Sequence, residues 1–420
     1  MEYDYIIIGG GISGLNTASN LSQKYNNKSI LLIEAKNHFG GRIYTVYNNK
    51  YNFKYESGAA RYNNNHVNLI KLIKKYNLTP IEISSNKNID YLHICTNNYS
   101  IHKHNNSYKF FDNCLKFLIN KSKKIKKEEL QKYTLSQFSK KHLGLKTTQQ
   151  LINIFGYCSE FDTLNCYDSL NSFKDNFNYN KKFFIIKEGM SELINHMVID
   201  LKKNNIELKN KTKLLNISYE NNKYILKTNN ISYITSNIIF CIKPTQLLEL
   251  SLFNPIKKNL NNIIPRPLLR IYAAYKKNND NEIWFHNISR FTTNHPIRHF
   301  IPININKGLA MISYTDGDDC LFLLGKYYDK TLKKYLHDEF KKIFPEKHIN
   351  QPYYFSVEFW DEGAHYWNKN IDSDNLSQSL LYPMKEKYPN LYICGEAISQ
   401  QQAWVEGAII SSNNLFKKYL

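Results

Sequence analysis

Tyr5-Ile6-Ile7-Ile8-Gly9-Gly10-Gly11-Ile12-Ser13-Gly14 decides the fold of this chain. Four apolar residues without alternation read as a buried strand, and the glycines that follow form a G-x-G-x-x-G turn. In such a turn Gly9 makes the bend, Gly11 lets backbone amides approach a pyrophosphate, and Gly14 permits close packing of helix on strand. Ile12 and Ser13 open the helix, whose N-terminal N–H groups face the phosphates. A second apolar run, Ile30 to Ile33, ends at Glu34, about 20 residues past the glycines, where a carboxylate accepts the ribose hydroxyls. An acidic residue there selects against a 2′-phosphate, which leaves FAD or NAD.

Two further apolar runs, 238–242 and 391–394, extend the parallel sheet. Between them and the start of the chain, 224–228 and 231–235 are β-rich and joined at Asn229-Asn230, which predicts an antiparallel meander. Residues 81–179 are Lys- and Asn-rich with helical spacing in places, and predict a mostly helical insertion. Alternation returns at 270–275, 309–314 and 353–359, consistent with one antiparallel sheet in a second domain. The expected class is α/β, a Rossmann-like dinucleotide-binding domain with a β-meander plus a second α+β domain.

The chain has 420 residues, 42% of them hydrophobic, enough for two domain-sized cores and too apolar for a disordered chain. Its formal net charge is +20, which raises a nucleic-acid reading. The excess is nearly all Lys, with Arg only at 42, 61, 266, 270, 290 and 298. Together with abundant Asn, Ile and Tyr this matches the bias of an A+T-rich genome, such as that of a large DNA virus, so charge alone specifies no partner. The seven cysteines form no CxxC pair, which disfavours a disulfide framework and a zinc site. No metal is expected. No apolar run approaches a membrane span, and the first residues lack a secretory pattern.

The second strand continues into Glu34-Ala35-Lys36-Asn37-His38-Phe39-Gly40-Gly41-Arg42, and the chain closes with Gly395-Glu396-Ala397 and Trp404-Val405-Glu406-Gly407-Ala408. With these motifs the chain resembles the flavin-containing amine oxidase superfamily, which includes monoamine, polyamine and L-amino-acid oxidases. The likeness is weaker at Glu188-Gly189-Met190 and Lys213-Leu214-Leu215. The resemblance implies FAD held noncovalently. Gly41 would pass close to the cofactor, Arg42 would lie by the pyrophosphate, Leu214 near the adenine, and Glu396 by the ribityl or pyrophosphate region. Ala35, Gly58 and Ala59 fall in the same cofactor-binding set. The helix from Val405 would aim N–H groups at the flavin N1 and C2 carbonyl. It also assigns 1–80, 185–250 and 385–420 to the FAD-binding domain, and 81–184 and 251–384 to the substrate-binding domain.

Family members often place two aromatic side chains before the flavin. Trp404 matches one; Tyr366, in Gly363-Ala364-His365-Tyr366-Trp367, matches the other, with Trp367 the competing register. His365 stands where monoamine oxidases carry a cysteine bound to the flavin, so a cysteinyl linkage is not expected. Arg270 occupies the place of a Lys that holds a water beside flavin N5; a guanidinium holds charge there but does not act as a base. A surface-facing strand arginine is the alternative. Arg61, in Glu56-Ser57-Gly58-Ala59-Ala60-Arg61, resembles the arginine with which L-amino-acid oxidases hold the substrate carboxylate. An internal salt bridge is the competing role.

The expected function is therefore oxidative deamination of an amine-bearing substrate by hydride transfer to flavin N5, with hydrogen peroxide formed on reoxidation by oxygen. An L-amino acid or other carboxylate-bearing amine ranks slightly above a mono- or polyamine. The rivals are a flavin-dependent desaturase or isomerase of a nonamine, and a flavin-fold protein associated with nucleic acid. The latter rests on Lys121-Ser122-Lys123-Lys124-Ile125-Lys126-Lys127, which better suits a solvated helix face. Specific nucleic-acid binding is not expected, although nonspecific polyanion contact fits the charge. The expected partners are the small-molecule substrate and oxygen; a homodimer is compatible, and no membrane is expected. The expected location is cytoplasmic, in the virion or host cytoplasm if the source is a large DNA virus. A second G-x-G-x-x-G for NADPH is missing, which disfavours an NADPH-driven oxygenase.

Overall fold

The strand Glu2–Ile8 runs from an exposed start into four buried residues, Tyr5 to Ile8, because it lies at the centre of a parallel sheet covered on both faces. The computed structural model describes residues 1–83, 89–95, 100–104, 107–177, 181–279 and 281–420. Glu2–Ile8 pairs in parallel with Ile30–Ile33 on one side and Ser232–Phe240 on the other. Glu207–Lys209 adds in parallel beyond Ile30–Ile33. The strand Ser232–Phe240 shares one edge between two partners: Tyr224–Lys227 pair with it antiparallel, and Leu391–Ile393 pair with it in parallel further along. The meander is completed by Leu214–Glu220 against Lys223–Thr228. The parallel strands end together, so the chain leaves Ile8, Ile33, Phe240 and Ile393 at one rim of the sheet. Ligands of doubly wound sheets bind at that rim.

The helices Ile12–Lys24, Met190–Lys203 and Val405–Tyr419 supply apolar side chains to the core that covers this sheet. Ile6, Ile7, Leu15, Leu31 and Leu32 are fully buried there, each such side chain contributing about 1.5–3 kcal/mol. Cys241 and Cys394, side by side at the rim, have their sulfurs 3.3 Å apart, and burial raises the Cys241 thiol well above its ordinary value.

The second sheet has the order Tyr354–Trp367, Ile263–Ala274, Leu309–Asp316, His299–Asn304, Phe291–Thr293, Asp90–Cys95, Ser100–His104. Its first four strands are antiparallel, as the alternating segments predict. The expected helical insertion needs correction at its start. Pro80–Ile83 pairs with Phe183–Ile186, and Asp90–Cys95 joins the second sheet beside Phe291–Thr293. Helices follow from Ser107–Ser122 through Cys166–Asn176 and enclose a separate aromatic core around Phe111, Phe155, Phe161 and Phe173. Among the described residues no helix is long and apolar enough to cross a membrane, and no group of three metal-ligating side chains is found.

Candidate functional site

At the rim, the Gly9 to Gly14 turn has the geometry that close approach demands. Gly9 has φ +106°, a conformation unfavourable for a residue with a Cβ, and a Cβ on Gly14 would run into the Gly9 carbonyl. Gly11 is different: a Cβ there would meet nothing within 4 Å, so its backbone borders open space. The helix Ile12–Lys24 starts at that opening, with Ile12 and Ser13 buried and no side chain capping its N-terminus. Its free N–H groups face the same region.

Glu34 ends its strand beside this turn. Its Oε2 accepts the Gly10 N–H at 2.8 Å and its Oε1 the Lys36 N–H at 2.8 Å, which fixes the carboxylate while leaving lone pairs for hydroxyls. Ala35 is exposed just beyond it. The segment before Leu214 is tied to this strand end, since Thr212 N–H donates to the Glu34 carbonyl and Lys211 N–H to that of Lys36. Leu214 then opens the outer strand of the meander. Gly41 lies against Gly11, with its own Cβ position 3.4 Å from the Gly11 Cα.

Arg42 and Glu396 lie 354 positions apart and meet at 2.6 Å. The Glu396 carboxylate also accepts His365 Nδ1 at 2.8 Å, the His365 N–H at 3.2 Å and the Ala403 N–H at 2.6 Å. Despite its burial, the Arg42 and His365 charges and these donors hold it well below the usual carboxylate range. Nε2 of His365 faces Glu362 at 3.2 Å, and Glu362 is lowered to about 2 by the His365 and Thr245 hydrogen bonds and Lys243 against the cost of burial. His365 is thus clasped between two carboxylates. Gly395 anchors the loop through its N–H to Ser411 Oγ at 3.1 Å. The helix Val405–Tyr419 begins with no side-chain cap, while Glu406 in its first turn accepts the N–H groups of Asn68 and Leu69, tying the helix Val67–Lys75 to this end.

These features fit FAD: open space at Gly11, a fixed carboxylate at the strand end, two uncapped helix N-termini and a guanidinium at one sheet rim. Gly58 and Ala59 join this frame, Ala59 donating its N–H to the Arg42 carbonyl at 2.9 Å.

Arg270 is buried, which removes the surface alternative. Its guanidinium donates to the carbonyl of Glu56 at 3.0 Å, to that of Gly58 and to the Tyr314 hydroxyl at 3.0 Å, and it lies over the Tyr314 ring. It therefore clamps the turn that leads to Arg61. Trp367 is a core residue with its indole N–H on the Ser399 carbonyl at 3.0 Å. Tyr366 is buried with its hydroxyl on Glu160 Oε1 at 3.1 Å. Trp404 is held from behind by the rings of His66 and Phe177, 4.8 and 5.6 Å away.

A cavity of about 220 Å³ is bordered by Tyr366, Glu160, Asp168, Asp175, Asp374 and Ala403. Glu160, which no motif pointed to, is buried with Oε2 unpartnered. Burial, then the nearby Asp316 charge, raises it to about 7 from an ordinary 4.5. A carboxyl whose folded-state value is raised stabilises the fold below about pH 4.5, and that contribution is lost as pH rises through about 7. Glu160→Gln is expected to flatten the decline of Tm across this window, read by thermal melts; an unchanged pH profile would contradict the assignment. Arg61 packs on the Phe183 ring at 4.9 Å and makes no ion pair among the described residues. Its charge is felt at Glu160 and Tyr157.

The family model for flavin-containing amine oxidoreductases matches residues 12–414. An uncharacterized protein of Acanthamoeba polyphaga mimivirus is 24% identical, over 100% of this chain and 94% of that relative. Flavin-containing amine oxidase A of Equus caballus is 33% identical over 87 residues, 21% of this chain and 16% of its own. Among solved structures, wild-type putrescine oxidase bound to putrescine superposes with a TM-score of 0.78 at 13% identity, covering 99% of this chain and 98% of that one. A protein assigned as protoporphyrinogen oxidase from Exiguobacterium sp. gives 0.75 at 16% identity, with the same coverage.

Proposed function

This chain belongs to the flavin-containing amine oxidoreductase family, and from that premise we propose that it deaminates an amine bearing a carboxylate, an L-amino acid or a near relative. The supporting observation is Arg61, a guanidinium with no ion-pair partner among the described residues, whose charge reaches Glu160, itself hydrogen-bonded to Tyr366. FAD, when bound, would supply the two-electron acceptor, with oxygen as the terminal oxidant and hydrogen peroxide as the product. We assign residues 1–80, 185–250 and 385–420 to its domain, and 81–184 and 251–384 to the substrate.

In this reading the protein contributes orientation and charge. Arg61 takes the substrate carboxylate through its planar fork. Tyr366 and Trp404 flank the amine, each held from outside by other partners. The unpartnered Oε2 of Glu160 is placed to accept a proton from the ammonium, because its raised affinity for protons matches near-neutral pH. Arg270 fixes the Glu56 to Gly58 turn and keeps positive charge beside it.

A second reading, a simple amine or polyamine, is favoured by the carboxylates bordering the cavity beside Tyr366. Its acid lining is partly spent: Asp374 pairs with Lys127 at 2.5 Å and Asp168 takes Asn165 Nδ2 at 2.6 Å. Anaerobic bleaching of the FAD-loaded protein across L-amino acids, monoamines, diamines and alkenes separates the readings. Bleaching by amino acids is expected; bleaching by diamines alone, or by nonamines alone, would overturn the carboxylate reading.

A further inference from the structure

Four of the six arginines have hydrogen-bond partners. Arg42 meets Glu396, Arg266 the Ser159 hydroxyl, Arg270 two carbonyls and Tyr314, and Arg298 Asp319. Arg61 and Arg290 have no side-chain hydrogen bond or ion pair among the described residues, and the Arg290 Nε is buried without a partner. Strand pairing explains where Arg290 lies. Arg290 immediately precedes the strand Phe291–Thr293, its carbonyl accepting the Asp90 N–H at 3.4 Å, and Thr292 on that strand pairs with His299, so Arg290 stands beside the Thr292 and His299 pair. That pair meets the helical segment, since Thr292 Oγ1 donates to the Ile154 carbonyl at 3.0 Å and the Tyr157 ring lies 4.4 Å from the His299 ring. The backbone at Gly156 presses on the same imidazole, where a Cβ would collide with it.

His299 is 1% exposed and neither ring nitrogen has a partner. A buried imidazole with both nitrogens unsatisfied is costly and calls for a ligand or water. The charges of Arg61 and Arg290 both reach it, and both reach Tyr157. The two guanidiniums act on each other and on the same imidazole, so this region favours an incoming anion.

We propose that Arg290 and His299 form a second anion-holding station beside Arg61, so that the substrate is a dicarboxylic amine of the acidic amino-acid class. The inference rests on the carboxylate reading above. Arg61 holds one carboxylate and Arg290 the other, with His299 donating from one ring nitrogen. Two carboxylates pair with two guanidiniums, whereas a monocarboxylate leaves one guanidinium without an acid partner. Arg290 is then a specificity-determining residue.

The test is calorimetric binding of butyrate, succinate and glutarate to the FAD-loaded full chain. Succinate or glutarate is expected to bind at least about tenfold tighter than butyrate, a difference one added charged contact supplies. Arg290→Gln should bring the dicarboxylates to the butyrate level and leave butyrate within about twofold, while Arg290→Lys restores part of the preference. Equal binding of butyrate and the dicarboxylates by the unaltered protein would overturn this inference and leave the carboxylate reading standing. So would an Arg290→Gln variant that weakens all three ligands equally. Failure of all three carboxylates to bind would overturn both.

Discussion

Arg61→Gln is expected to lower kcat/KM for carboxylate-bearing amines by about 30- to 1000-fold, while simple amines change by less than about threefold. The range corresponds to about 2–4 kcal/mol, the usual loss when one partner of a desolvated charge pair is removed. The effect should be large because the guanidinium, which lies on the Phe183 ring, makes no side-chain hydrogen bond or ion pair among the described residues. For the same reason Tm should change little. A variant that loses activity on all amines equally, or that melts several degrees lower, would show that Arg61 holds structure instead of substrate. Steady-state kinetics on an amino acid and on its decarboxylated amine make the comparison with one leaving nitrogen and two anchoring patterns.

Arg42→Ala is expected to impair both folding stability and FAD retention. Glu396 is buried and loses its strongest counter-charge in this variant, leaving His365 between two carboxylates with no guanidinium beside them. Breaking a buried pair costs about 3–5 kcal/mol, and since the Arg42 side chain is 29% exposed, water re-solvates part of the site and about 2–3 kcal/mol is expected. FAD affinity should fall on the order of tenfold or more if, as proposed, the same guanidinium meets the cofactor pyrophosphate. Urea unfolding gives the first quantity and equilibrium FAD titration the second. Glu396→Gln in the same background should recover stability without recovering FAD affinity, which separates the two roles. Unchanged FAD affinity in Arg42→Ala would remove Arg42 from the cofactor site.

What was legible in the sequence is what is local along the chain. The Gly9 to Gly14 turn, the strand before it and Glu34 lie within one unit and are read from spacing alone; the structure gives Gly9 a positive φ and Gly14 a close backbone approach, while Gly11 borders open space. The meander and the antiparallel order of 263–274, 309–316 and 354–367 follow from alternation. Asp90–Cys95 and Ser100–His104 were missed because their strand character comes from pairing with each other and with Phe291–Thr293, not from apolar periodicity. Within the site, Arg42 and Glu396 were legible one at a time, while their contact was not, since nothing in either motif names the other. Glu160, Arg290 and His299 carry no motif. One signal for Arg290 was present: an arginine in a chain whose basic residues are nearly all lysine. Periodicity did not separate Tyr366 from Trp367; packing distinguishes their surroundings, with the Trp367 indole N–H on the Ser399 carbonyl and the Tyr366 hydroxyl on Glu160.

The visible absorbance of the purified chain after reconstitution with FAD and gel filtration is the decisive test of flavin binding. Flavin bands are expected to travel with the protein at about one FAD per chain and to be released on denaturation, as noncovalent binding at the Gly9 to Gly14 rim requires. Protein that elutes folded but colourless would contradict it.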